Sequence, residues 1–491
     1  MPGVVDPAGR HIACDSSPGL ISFGCEGRTR VNILKGFKYG AAALLAVCVL
    51  FLLALGLINA FDEDLNPEIV ALVHRAETEQ IAQQGNAYFA LVGLSAPHGQ
   101  DMEVAGKSLH EENQRQLEIS RKTTGFRPID PYSRPGGLSF EGELSYMCSV
   151  WQDYLYENGV CKHQAESDRM LAENQELLQR YYRLLDYHAY EEPAIGNIPS
   201  GRDLIDLAGL ATVDIERRLA HGQVAQSAEL MVRNLAFWRN ALEGKYRMVP
   251  EAVLRIGYSV SQQWSSQLLW RHPQLLEKAN FKAAFARPFM ISADRLQWQL
   301  DREFMNAYSV RRGSDMVLFE GSGRSRNPIL RWVADRLFRR NATLNDYYAC
   351  TKRFYAVRGL GAEAFGKAVA EYRDYSIDDA ASLAVNLTGK IALYEHCPKG
   401  SWLEEFNYER FEASRRLVSL EIELLRSKLP KRRYAAFLAA APASLRDPLN
   451  GQPAKWDAGR QIIFFEREAG CLSDGHWVNL APVRDIKRCR P

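Results

Sequence analysis

The longest apolar stretch runs from Gly40 to Ile58, nineteen residues without a charge. With Tyr39 and Asn59 to Phe61 added it reaches 23 residues, about 34 Å as a helix, enough to cross a bilayer's hydrocarbon core of about 30 Å. A helix also satisfies its own backbone hydrogen bonds, as lipid requires. Arg28, Arg30, Lys35 and Lys38 precede the run, and Asp62, Glu63 and Asp64 follow it. Basic residues stay on the cytoplasmic side, so this asymmetry predicts a transmembrane helix over 39–61 with residues 62–491 outside. A cleaved signal peptide is the competing reading. The apolar part is longer than such peptides use, and the acidic sequence after it is a poor cleavage site. Residues 1–38 then form a cytoplasmic tail, read as disordered. A second reading starts translation near Val31.

Beyond the run, apolar positions recur at three- and four-residue steps almost to the end of the chain, the period of a half-buried helix. Asn66-Pro67 marks a helix start, a capping residue followed by proline at the first helical position. The pattern continues from there to about Ser95. Gly85 and Gly93 interrupt it, either for close helix contact or, at Gly85, for a break. Helices are expected over 100–121 and 162–190, the latter with Leu171, Leu178 and Leu185 seven apart. The clearest pair follows: Leu204, Ala208, Ala211, Ile215 and Leu219, a His221-Gly222 turn, then Val224, Ala228, Met231, Leu235, Trp238 and Leu242. This looks like one tetratricopeptide-like hairpin without a second copy. More helices are expected over 251–271, 274–285, 289–310, 328–340, 344–358, 361–373, 377–396 and 402–428, with Thr343 or Asn345 capping the one at 344. The last sixty residues switch to a turn, a strand, an Asp-Ala-Gly turn and a strand, predicting a β-hairpin. A polar loop between Cys471 and Cys489 follows. The expected fold is mainly α, an irregular helical array with a small C-terminal hairpin. Its parts are 62–162 (membrane-proximal helices and a Pro/Gly-rich loop), 163–430 (the array) and 431–491.

Composition adds three constraints. A charged content of 24% beside 46% hydrophobic is that of a globular chain. A net charge of +2 gives no electrostatic reason to expect nucleic acid. Of nine cysteines, Cys14 and Cys25 precede the apolar run and Cys48 lies in it, leaving Cys148, Cys161, Cys350, Cys397, Cys471 and Cys489 outside. An even number in an oxidising compartment suggests disulfides, and pairing of nearest neighbours (148–161, 350–397, 471–489) is the favoured pattern among the possible connectivities.

Near the C-terminus, DPLNGQPAKW (447–456) and the strand after it resemble the end of a group of uncharacterised bacterial membrane-anchored extracytoplasmic proteins. NAYFALVGLSAP (86–97) and VNLTGK (385–390) resemble other recurring features of that group. The resemblance implies an anchored extracytoplasmic protein. It implies no activity and carries no site residues.

The chain lacks HExxH, GxSxG, a phosphate-binding loop and a dinucleotide fingerprint, so no cofactor or metal is expected. His163 with Glu166 and His188 with Glu191 have helical spacing that would place two ligands on one face. His476 with Asp474 would serve as an acid–base pair in the terminal loop. Asp130, Tyr132 and Arg134 sit in the Pro/Gly-rich loop, and Glu303 is a candidate carboxylate for glycan cleavage if buried. Each also has a simpler account, a solvated helix face or surface loop, and for Glu303 an exposed salt bridge. Asn341-Ala-Thr and Asn386-Leu-Thr fit the glycosylation sequon but read more simply as helix boundaries. The expected function is a non-enzymatic interaction or scaffold protein of the bacterial inner membrane, with its mass in the periplasm. Its expected partners are the bilayer at 39–61 and an envelope protein or cell-wall glycan. The alternative is a membrane-tethered hydrolase of cell-wall glycan.

Overall fold

The computed structural model describes residues 26–78, 81–82, 84–122, 137–141, 164–193, 201–245, 248–278, 281–288, 293–309, 328–360, 362–376, 385–400, 409–448, 450–466 and 477–479. The chain divides after Ala60 into two units. The first contains α1 (Glu26–Ile58), whose segment Tyr39–Ile58 is long and apolar enough to cross a membrane and is not buried by the protein.

The second unit is mainly helical. Its helices are α2 (Pro67–Thr78), α3 (Ala87–Val92), α4 (Met102–Lys122), α5 (Gln164–Glu173), α6 (Gln175–Leu184), α7 (Gly201–Ala220), α8 (Val224–Leu242) and α9 (Met248–Arg271). Then come α10 (Leu275–Lys278), α11 (Phe281–Ala286), α12 (Ala293–Ser309), α13 (Pro328–Arg336), α14 (Arg340–Arg358), α15 (Ala362–Glu371), α16 (Leu387–His396), α17 (Glu409–Ser427) and α18 (Tyr434–Ala439). The predicted hairpin pair is α7 and α8, which pack on each other and on α9.

Two expected long helices are each split, for identifiable reasons. The one starting at Asn66-Pro67 begins as predicted, with Asn66 Oδ1 accepting from the Glu68 amide at 2.9 Å. It ends at Thr78, and the chain turns through Gly85 at φ +67°, a conformation that excludes ordinary side chains. Asn86 then caps α3, accepting from the Tyr88 amide. Gly93 has the other proposed role: a Cβ there would lie 1.8 Å from the Met102 carbonyl oxygen, so α3 and α4 touch backbone to backbone. Gly106 faces it in the same way across Phe89. The expected helix at 162–190 is interrupted at Asn174, whose amide bonds the backbone of Glu141 in both directions at 2.8 Å. It ends at Leu184, yet Leu171, Leu178 and Leu185 are all buried as their spacing required.

Three hydrophobic cores lie in the second unit, and each draws on distant parts of the chain. One joins the segment around α3 to α6, α7, α8 and α9. Another joins the far ends of α7, α8 and α9 to α17 and the C-terminal strands. The third joins α2 to α12, α14 and α16. These cores run across the lines drawn at 162 and 430.

The C-terminal hairpin forms as predicted, β1 (Lys455–Asp457) antiparallel to β2 (Ile462–Phe464) with Trp456 opposite Ile463. Asp457 Oδ1 accepts from the Arg460 amide in the turn. A third strand, β3 (Trp477–Asn479), pairs antiparallel with β2. It falls in the stretch read as a polar loop, where Trp-Val-Asn is too short for alternation to show. Of the predicted disulfides, Cys350–Cys397 is formed, with Cα atoms 6.0 Å apart, and it ties α14 to the end of α16. Cys148, Cys161, Cys471 and Cys489 lie outside the described residues.

Candidate functional site

Two polar constellations stand out. The first is a clamp at the start of the second unit. Helix α14 begins at Arg340, four residues before the expected start, so Thr343 and Asn345 lie inside it and do not cap it. The four free amides of its first turn need acceptors. Asp62, about 280 residues away in sequence, serves two of them: its carboxylate accepts from the Asn341 amide at 2.7 Å and the Ala342 amide at 3.1 Å. A carboxylate here also meets the positive end of the helix dipole. The neighbours of Asp62 join in. Asn341 Nδ2 donates to the Glu63 carbonyl, Asn345 Nδ2 donates to the Glu63 carboxylate and the Asp64 carbonyl, and Asn345 Oδ1 accepts from the Asn66 amide. One turn on, Lys352 and Tyr348 both donate to Glu68. The Lys352 bond, then the Tyr348 bond, holds the Glu68 carboxyl below its usual range. Burial, then Glu68 itself, pushes the Tyr348 hydroxyl up to about 12.

The two sequon-like triplets meet at this clamp. Asn386 is buried in the left-handed region at φ 60°. Its Oδ1 accepts from the Arg339 amide at 2.8 Å, and its Nδ2 donates to Thr343 Oγ1 at 2.9 Å. Both asparagines therefore mark helix starts, as read. Gly389 is required beside them, because a Cβ there would come within 2.0 Å of Thr343 Oγ1.

The second constellation is a buried polar seam along α9. Tyr181 donates to Asn234 Oδ1 at 2.5 Å, Trp238 Nε1 donates to the Tyr181 hydroxyl at 3.0 Å, and Asn234 Nδ2 donates to Ser261 Oγ at 3.0 Å. Gly257 makes room for Trp238, whose ring atoms lie 2.1 Å from where a Cβ would be. On the side toward α17, Arg415 grips Glu412 through two hydrogen bonds of 2.7 and 2.6 Å and also donates to the Phe285 carbonyl. Arg416 donates to Glu412 as well. Beside them the Tyr258 hydroxyl is pushed up to about 12, chiefly by burial.

Further along α17 the seam changes character. Glu421 is fully buried without a hydrogen bond of ordinary geometry to either carboxylate oxygen, and the Ser266 hydroxyl on α9 is the polar group beside it. An unpaired carboxylate in such a setting is held as the neutral acid, because desolvation penalises the charge. Burial raises the Glu421 carboxyl well above its usual range, against the opposing interaction with the Ser266 hydroxyl. Sequence reasoning passed over this residue, although a signal existed. Glu421 follows Leu417 by four and precedes Leu424 by three, a position on the apolar face of its helix.

The residues singled out in the sequence do not assemble into a site. His188 and Glu191 lie past the end of α6 and share no helix face; Glu191 instead pairs with Lys245 and accepts from the Ala82 amide. Glu303 is half-buried in α12, and the buried carboxylate there is Asp301, paired with Arg75. Burial raises the Asp301 carboxyl, against the opposing hydrogen bonds of Arg75 and Gln297. Asp130, Tyr132, Arg134, His163, Asp474 and His476 lie outside the described residues, as do the side-chain surroundings of Glu166. Among the described residues no three His, Cys, Asp or Glu side chains gather where a metal would be held.

The three sequence features that carried the resemblance are densely bonded places in the fold. Residues 87–92 are wholly buried, and Asn386 closes the clamp. In 447–456, Asp447 and Gln452 bond across a turn containing Gly451 at φ 70°. No family model, curated protein or solved structure matches the chain.

Proposed function

We propose that the protein is a single-pass, membrane-anchored scaffold or interaction protein of the bacterial cell envelope. Its N-terminus is cytoplasmic and residues 62–491 stand on the periplasmic side of the inner membrane. The charge asymmetry around Tyr39–Ile58 supports the orientation. The disulfide Cys350–Cys397 agrees with an oxidising compartment. The observation that carries the reading is the clamp. The acidic residues directly after the apolar helix belong to the outer fold's own hydrogen-bond network, so only Asn59, Ala60 and Phe61 connect the two. A helical array of this extent offers a broad surface to a partner, which suits a scaffold; that partner is an envelope protein or cell-wall glycan.

Alkaline phosphatase fused after residue 100 is expected to be active in the periplasm; activity only from a fusion before residue 38 would overturn the orientation. Replacing Leu45, Leu52 and Leu53 together by Asp should abolish membrane retention, since each central Asp opposes insertion by about 2.5–3.5 kcal/mol. Function is tested by capture of partners from envelope extract with the full chain, run beside zymography on cell wall. Clearing that disappears on carboxylate substitution would replace the scaffold reading with the tethered hydrolase.

A further inference from the structure

We propose that the corner of the second unit beside the clamp is an interfacial surface, with Trp332, Ile391 and Tyr394 seated in the phospholipid headgroup layer of the bilayer that the apolar helix crosses. The proposal rests on the anchored reading and adds a contact that reading does not contain. Large exposed apolar side chains are few among the described residues of this unit, and their distribution is uneven. Phe61, Val70, Trp332, Leu360, Ile391 and Tyr394 belong to segments that the clamp joins or that directly adjoin it, Leu360 past the far end of α14; Val104 is the exception. Trp332 is 61% exposed on α13, the helix just before the clamp's Arg339, and Tyr394 is 55% exposed on α16, the helix just after its Asn386. The two helices are joined through Thr388, which donates to the Ala334 and Leu337 carbonyls.

Position and chemistry point to the same occupant. Asp62, which caps α14, is four residues beyond Ile58, a reach of at most about 14 Å. The headgroup layer is therefore within reach of the clamp and its neighbours. Leu360, beyond the other end of α14, is roughly 30 Å from the capped end along the helix axis. Trp and Tyr are the side chains that collect at membrane–water interfaces, where an apolar body and a polar tip are both served. Here each carries a cation: Arg336 lies 5.6 Å from the Trp332 ring centre, and Lys399 lies 5.9 Å from that of Tyr394. A ring in the upper acyl region with its cation toward phosphate matches that layer. Asp335 and Glu395 alternate with these cations, so the contact does not depend on anionic lipid.

The test uses the full chain in lipid nanodiscs of phosphatidylcholine, with and without phosphatidylglycerol, carrying bromine on the acyl chains near the headgroup. The Trp332 signal is the difference between the native protein and W332F. In the W332F background, Tyr394→Trp and Val104→Trp provide a second interfacial reporter and a control. The expected result is bromine quenching and a blue-shifted emission for Trp332 and for Tyr394→Trp in both lipid mixtures, with neither for Val104→Trp. Quenching of Trp332 and Tyr394→Trp no greater than that of Val104→Trp would overturn the proposal. Carbonate extraction of the same protein from membranes separates the two failures. Release shows that the anchored reading is wrong and this proposal with it; retention without quenching sinks this proposal alone.

Discussion

Glu421→Gln is expected to stabilise the protein, and by an amount that grows with pH. In the native state the side chain is buried on α17 beside Ser266 of α9, and burial raises its carboxyl well above the usual range. In the unfolded chain it ionises at the ordinary carboxylate value of about 4.3. Between that pH and the raised native value, the folded state binds one proton more than the unfolded state. Stability therefore falls as pH rises, by up to about 1.4 kcal/mol per pH unit, and levels off once the native value is passed. Glutamine has nearly the same shape and cannot ionise, so it removes that slope. Toward the acid end of the range, where the carboxyl is increasingly protonated in both states of the native chain, the difference between variant and native should be smallest. Each unit above the ordinary carboxylate value should then add about 1.4 kcal/mol in favour of the variant, within the window. Thermal unfolding of the full chain in detergent, followed by tryptophan fluorescence from pH 4 to pH 8.5, reads the difference directly. Because other shifted groups, including Asp301 and Asp346, are common to both proteins, they cancel in the comparison. A difference that does not change with pH would show that folding leaves the carboxyl unshifted, and a Glu421→Gln protein less stable at pH 8 than the native one would show that the native carboxylate is charged and paired; either result refutes the reasoning.

Three further outcomes follow from the same geometry. Gly93→Ala should destabilise by at least the 1–3 kcal/mol typical of overpacking, about what forced shifts in a packed core require, because its methyl group meets the Met102 carbonyl and not a yielding side chain; unfolding midpoints equal to the native protein's would refute the backbone contact. Asp62→Ala should cost about 0.5–2 kcal/mol as a lost helix cap, and Asp62→Asn less, read by chemical denaturation and by proteolysis within 339–345. Cys350→Ser with Cys397→Ser opens a loop whose ends are 47 residues apart, worth about 4 kcal/mol on the chain-entropy account. In the native chain neither cysteine should react with maleimide until the protein is denatured and reduced.

Local features were legible in the sequence where the physics is local. The α7–α8 pair, the Asn66-Pro67 start and the Asp457 turn all appear where the pattern puts them. Element ends were less legible. The expected helices at 67–95 and 162–190 are each broken, at Gly85 by backbone conformation and at Asn174 by a side chain recruited to hold residues 137–141. The start of α14 at Arg340 was missed because the carboxylate that caps it is about 280 residues distant, beyond any local capping rule.

The amino-acid order alone determined the uncharged run at 40–58, the charge asymmetry around it and the helical period of nearly everything after, because each depends only on neighbours within a few residues. It also placed Glu421 on an apolar face, without revealing whether a partner would meet it there. Tertiary structure decided that question, together with the clamp joining Asp62 to α14 and the meeting of Asn386 with Thr343. All three depend on which distant helices pack together. Packing chooses between a solvated carboxylate and a sealed one, and between a free helix end and a capped one, because desolvation and hydrogen-bond geometry act on what lies beside a group in space.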